Sequence, residues 1–261
     1  MLYEITRDGH AIYLTGGWRP TTEPWSSPAI EALAASAEEF WNEVPVIGPE
    51  AQALAPRYGI DPVAPLATWL STDDASRVAA AAEAAGANAA LLAPLRPWLA
   101  AQVLRIAFDA RAGLAHAHSV EAVLTRRATE AGVPVKSEFG TPEGVFASFA
   151  SMPPEAEVQY LRFTLYEIES GVPRVDEHAA AMARGDLGPI ERETAMMREE
   201  WPALYAHLVV ERNRAWLPRI DSMMLARTRA FIVVGTGHLV GEDGLLALLP
   251  RAGYAVRRAH A

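Results

Sequence analysis

Apolar and polar positions change their spacing three times along this chain. At the start, residues 2–5 and 11–15 form two short apolar, partly β-branched runs on either side of Asp8 and Gly9, a pair suited to a tight turn between antiparallel strands. The second run meets Gly16, Gly17, Trp18, Arg19 and Pro20, which cannot extend a sheet and mark a sharp strand exit. Ser27 before Pro28 has the form of a helix N-cap followed by proline in the first turn. That helix is expected to run to about Glu39, and residues 40–44 read as a third strand with Glu43 at its end.

From about residue 49 to 229 the spacing becomes helical and alanine-rich. Ser71 and Asp74 have capping-box spacing, and Gly86 stands where a helix stop is expected, so the alanine run 79–85 belongs to a helix. Ser119 opens another helix that ends at Gly132, and residues 133–138 read as the one strand of this region. Thr141 and Pro142 start the next helix, and a long amphipathic segment follows Pro202, where Pro218 should kink or end it. The chain closes with an apolar strand at 230–235, a glycine-studded loop, a helix across 244–249 and a last strand at 254–257. Strands separated by helices predict an α/β fold. The expected form is a mainly parallel sheet with the N-terminal hairpin at one edge, surrounded by helices and carrying the large helical insertion, in one domain over residues 1–261.

Composition narrows the possible partners. With 51% hydrophobic residues in 261, the chain can bury a sizeable core. A net charge of -9 argues against nucleic acid and anionic membranes. The absence of cysteine removes disulfides, thiolate metal sites and a Cys nucleophile. No apolar run approaches the roughly 18 residues of a spanning helix. Met1 leads directly into a strand-like run, so the chain as written reads as cytoplasmic, or as periplasmic or secreted if a leader has been removed.

The sharpest local feature is Gly235-Thr236-Gly237-His238-Leu239-Val240-Gly241, directly after an apolar strand. Ligands in open α/β sheets bind beyond the carboxyl ends of strands, which places His238 at the mouth of such a site as a base or metal ligand. The spacing does not suit a dinucleotide loop, because the third glycine comes one residue late. Glu43 and Glu138 each stand near the end of a predicted strand, on the same edge of the sheet. Glu121, in the first turn after Ser119, has either a site role or a helix-dipole role. His116, His118 and Glu121 could imitate a metal site but rank below His238, and His207 and Glu211 are spaced to bond on one helical face. The methionines read as gap-filling, and no serine sits in a nucleophile elbow.

The run FIVVGTGHLVGEDGLLALLPRAGYAVRR resembles the C-terminal signature of the TraB/GumN family, which includes the TIKI proteases. YLTGGWRP, AEEFWNEV, HSVEAVLTRRATEAGVPVKSEFGTPEGVFASF, ARGD and LYAHLVVERNRAW are similar to family segments in the same order. The resemblance implies a fold like that of erythromycin esterase and ChaN-type proteins. For the TIKI branch it also implies metal-dependent proteolysis through two G-x-x-H motifs and a glutamate. By position, the second motif is Gly235 to His238, the glutamate is Glu43, and Glu121, Glu138, Arg212 and Asn213 match other recurrent positions.

The first motif departs from the pattern: Gly16 is followed by Gly17, Trp18 and Arg19, and arginine has no lone pair for a metal. A divalent manganese, cobalt or zinc ion, held by His238 and Glu43, is thereby weakened, and His10 lies on the wrong side of the hairpin to replace the missing ligand. Arg19 can hold an anionic ligand, can pair with Glu43 as a fixed cation, or marks a site that only binds. Trp18 and Trp25 would wall the pocket, with Gly16, Gly17, Gly235 and Gly237 allowing close approach, and Arg212 is expected to anchor Glu43 or Glu138. Two functions follow: an amide or ester hydrolase with His238, Glu43 and Glu138 as its chemistry, or a non-catalytic protein that sequesters a peptide or small anionic ligand. The alanine-rich helices also leave room for a homodimer.

Overall fold

The computed structural model describes residues 1–17, 20–49 and 51–259. Two strands, β1 (Leu2–Arg7) and β2 (His10–Gly17), form the expected hairpin, with Asp8 and Gly9 both at positive φ in the turn. Helix α1 (Pro28–Ala35) is shorter than the sequence suggests, and β3 (Glu39–Asn42) begins where the helix was expected to end. Ser27 precedes α1, yet its hydroxyl makes no capping bond. Instead the Glu31 carboxylate accepts from the Ser26 hydroxyl and the Ser27 N–H.

The helical middle comprises α2 (Ala51–Gly59), α3 (Thr72–Ala85), α4 (Pro97–Arg111) and α5 (Val120–Glu130), followed by strand β4 (Val135–Ser137). Then come α6 (Pro142–Ala150), α7 (Pro154–Arg184), α8 (Gly188–Glu200) and α9 (Pro202–Tyr205). A π-helical turn, Ala206–Glu211, joins α9 to α10 (Arg212–Leu225). Strand β5 (Ala230–Gly235), α11 (Leu245–Arg251) and β6 (Ala255–Ala259) complete the order. The local stop and start signals act as their chemistry requires. Ser71 and Asp74 form a capping box, Gly86 ends α3 in the left-handed conformation, and Ser119 and Thr141 accept N–H bonds from α5 and α6. Pro218 does not end its helix, which continues to Leu225; the irregularity lies upstream, in the π turn. In α7 the chain bends at Gly171, whose φ of 69° no other residue type adopts cheaply.

The sheet order is β4-β3-β5-β2-β1-β6. Strands β4, β3, β5 and β2 run parallel, and β1 pairs antiparallel with both β2 and β6. The hairpin is therefore not at the edge, because β6 returns to cover β1. Both faces of β5 are buried. Ile232 and Val234 pack with Trp216, Ile220 and Leu249 on one side, and Phe231 and Val233 pack with Ile30, Phe40 and Leu124 on the other. At about 1.5–3 kcal/mol for each such side chain, this two-sided burial fixes the strand as the centre of the sheet. A separate core of Leu66, Trp98, Leu104 and Leu161 lies among the helices of the middle region. No described helix is long and apolar enough to cross a membrane.

Candidate functional site

Parallel pairing brings three strand ends to one edge of the sheet. Gly16 and Gly17 of β2 lie opposite Val234 and Gly235 of β5, while β3, on the other side of β5, stops one residue before Glu43. The two ends of the chain thus supply adjacent strands, as the glycines after each apolar run suggested. Those glycines are sterically required to different degrees. A β-carbon on Gly17 would lie 1.9 Å from Glu121 Oε1, and one on Gly16 would lie 2.8 Å from Thr236 Oγ1. Gly235 leaves 3.4 Å to Glu43 Oε1, and Gly237 meets Thr194 only at ordinary contact distance. Residues 236–238 turn tightly, and the buried Thr236 hydroxyl donates to the Gly17 carbonyl at 2.6 Å, tying the two exits together.

His238 is 7% exposed, so it lies inside the structure and not at a mouth, but its surroundings are polar. Asn213, fully buried on α10, donates its amide to the carbonyls of His238 (3.2 Å) and Asp243 (2.7 Å). Its oxygen can then only accept, so at 2.8 Å the His238 Nδ1 carries the proton. That assignment leaves Nε2 facing Glu43 Oε1 at 3.3 Å. Burial lowers the pKa of His238, and the attraction of Glu43 only partly offsets it, so the ring is neutral at rest.

Glu43 also accepts the Gly235 N–H and lies 3.1 Å from Arg212 Nη2. Burial alone would push its carboxyl up. Arg212, His238 and the Gly235 N–H outweigh that and hold it below the usual range. Arg212 forks onto Glu138 at 3.1 and 2.7 Å, and Trp216 Nε1 donates to the same carboxylate at 3.1 Å. Burial works against the guanidinium's charge, but the two carboxylates prevail and raise its pKa. The anchoring expected of Arg212 is present for both glutamates.

Glu121 is different. Its carboxyl rests against Gly17 and hydrogen-bonds with Ser119, and no cation among the described residues offsets its burial. Burial first, and the nearby charge of Glu43 second, push its pKa to about 7. One carboxyl in this cluster is therefore half-protonated at neutral pH.

Trp18 and Arg19 lie outside the described residues. A guanidinium does stand beside Glu43, but it belongs to Arg212. Trp25 lines a cavity beside the β2 exit. His118 Nδ1 is bonded to the Thr21 carbonyl at 3.1 Å, and His10 is bonded to the Thr228 carbonyl, far along the hairpin. His207 and Glu211 pair at 3.1 Å as expected. Sequence reasoning missed the tethering role of Thr236, which was visible only as the middle of a Gly-Thr-Gly run. It also missed Trp216, which had no signal beyond its place on the helix of Arg212.

The donor set fits a divalent metal poorly. His238 and Glu43 offer two donors, whereas catalytic zinc sites commonly use three protein ligands. No group of three His, Asp or Glu side chains is placed to hold a metal ion among the described residues, and a guanidinium stands 3.1 Å from the same Glu43 carboxylate.

Comparison with known proteins gives one match. The model of the TraB/PrgY/gumN family covers residues 1–258. No curated protein and no solved structure matches.

Proposed function

The chain belongs to the TraB/PrgY/gumN family, and on that premise we propose that it hydrolyses an amide or ester bond at the His238–Glu43–Glu121 cluster. The observation that carries this reading is the His238 imidazole, its pKa lowered by burial, facing the Glu43 carboxylate at 3.3 Å, close to Glu121, whose carboxyl burial pushes up to about 7. Groups whose surroundings drive their pKa values apart suit acid and base roles. A water hydrogen-bonded to both Nε2 and Glu43 would attack the carbonyl while Nε2 takes its proton. Glu43 would then stabilise the imidazolium. The Glu121 carboxyl would give its proton to the leaving nitrogen or oxygen as the tetrahedral intermediate collapses. Transfer of the imidazolium proton through solvent to the Glu121 carboxylate restores the resting state. Glu138 is a positioning residue, since both its oxygens are engaged by Arg212 and Trp216. Asn213 fixes the imidazole's tautomer.

The test is turnover of p-nitrophenyl esters and short peptide amides by wild type, His238→Ala and Glu43→Gln. Loss of a general base costs roughly 100- to 10,000-fold. Unchanged turnover in His238→Ala would overturn the assignment.

A second reading, a protein that sequesters a peptide or small anionic ligand without turning it over, is favoured by the burial of His238 and the internal pairing of Glu43. Tight ligand binding with no turnover by wild type would select it.

A further inference from the structure

A cavity of about 560 Å³ lies where β1, β2 and β6 meet the N-terminal ends of α1 and α5 and the last turns of α7. We propose that it binds a carboxylate carried on a compact apolar body, such as the C-terminal end of a peptide. Its size is within the range of small-ligand sites. Leu2, Trp25, Ile30, Val120 and Met182 supply apolar walls, and Ser26, Ser27, His118 and Arg258 supply polar ones.

The charge of the lining selects an anion. Although the chain carries a net charge of -9, no carboxylate is among the described residues of this lining, whose charged groups are the Arg258 guanidinium and the Met1 amine. Glu31, next to the lining residue Ile30, is already occupied by Ser26, the Ser27 N–H and Arg127. Two helix N-termini add positive potential, and Arg258 stands over the negative C-terminal end of α7, which also lines the cavity. Arg257 next door pairs with Glu4, whereas Arg258 has no carboxylate partner among the described residues. Arg258 is an exposed residue whose guanidinium packs directly on Gly185, where a β-carbon would overlap it, over the last turn of α7. The apolar walls exclude a bare inorganic ion as the best fit, because they would remain unfilled.

The cavity shares its walls with the cluster. Gly16 lines it one residue from the glycine against Glu121, and Ser119, which bonds Glu121, lines it too. As a subsite for the substrate's acidic end the inference rests on the hydrolase reading. As a binding site it does not.

Calorimetric titration of the full chain with N-acetyl-leucine and with N-acetyl-leucinamide tests it, since the two ligands differ only at the terminal group, an anionic acceptor in one and a neutral amide in the other. The acid should bind at least fivefold more tightly than the amide. Arg258→Glu should erase that preference, and Ala179→Trp, which fills the cavity, should abolish binding of both. A decanoate arm separates sources: tighter binding of decanoate than of N-acetyl-leucine keeps the site and assigns it to fatty acids. Equal affinity for acid and amide, or an acid preference that survives Arg258→Glu, overturns the proposal. His238→Ala should bind N-acetyl-leucine as wild type does, so lost turnover with intact binding counts against neither claim. Intact binding in a wild type that turns nothing over removes the hydrolase reading alone.

Discussion

Two regions of this molecule bury charge, and they do so by different rules. Among the helices, acids and arginines are matched. Asp74, 3% exposed, takes a two-pronged bond from Arg162 at 2.9 and 2.8 Å, and Glu157 pairs with Arg96. The bond from Arg162 brings the Asp74 carboxyl down to about 2. At the sheet edge, Glu43 and Glu138 share Arg212, while Glu121 has no cation among the described residues and burial lowers the pKa of the nearby imidazole. The matched pair keeps its charge; the unmatched cluster must hold a proton, and Glu121 is where burial places it. What separates the two is the cation: Arg162 more than offsets the burial of Asp74, whereas the burial of Glu121 is offset by no cation among the described residues and the charge of Glu43 adds to it.

Removing the shared cation should expose this difference most. Arg212→Met strands two carboxylates, and breaking a buried pair costs about 3–5 kcal/mol. Chemical denaturation should show a loss of that order, largely recovered when Glu43→Gln and Glu138→Gln are added. If Arg162→Met costs as much, the contrast between the regions fails.

Gly17→Ala comes next. Its β-carbon must displace the Glu121 carboxyl from a position 1.9 Å away. Overpacking of this kind costs about 1–3 kcal/mol, and hydrolysis of whichever ester proves active should fall with it.

A gentler test is pH. The Glu121 pKa is raised from 4.5 to about 7 in the fold, so the native state binds a proton that the unfolded chain releases. The stability it contributes is fully present below pH 4.5 and is lost as pH rises toward 7. The difference in unfolding free energy between wild type and Glu121→Gln should therefore slope by up to about 1.4 kcal/mol per pH unit in that window. A flat difference would place the proton elsewhere. Hydrolysis should weaken above neutrality as Glu121 ionises, and below it as His238 becomes protonated.

Smallest is Asp74→Asn. Its arginine is solvent-accessible, and such a pair contributes about 1 kcal/mol or less. The depressed pKa of Asp74 makes this contribution appear above pH 3.8 and fade as pH falls through about 2. Denaturation of the variant against wild type at pH 7 and pH 2 reads both.

What the sequence disclosed was what depends on near neighbours. The capping box at Ser71 and Asp74, the stop at Gly86 and the turn at Asp8-Gly9 are decided within a few residues, and all stand as read. The meeting of the two chain ends was also legible, because glycines followed an apolar strand at both. Arg212 could be matched to Glu43 or Glu138 because an arginine on a packed helix most often anchors a carboxylate, and it reaches both. The depth of His238 was not legible, since it depends on α10 closing over the loop. Nor was the raised pKa of Glu121, which arises first from its burial and second from the charge of Glu43, a residue distant in sequence. The place of β6 outside the hairpin was lost for a similar reason: antiparallel return pairing leaves no local mark.

The π turn before α10 sets how the site can be altered. It accommodates an extra residue within the helix, and so determines the angle from which Arg212 and Asn213 reach the sheet. Deleting Val210 would swing everything downstream by about 100°. The clamp on the imidazole and the bridge between the glutamates would leave together, while each residue kept its identity. Their coordination is thus a property of chain length across one turn, and a single-residue indel there would undo it more completely than replacing either side chain.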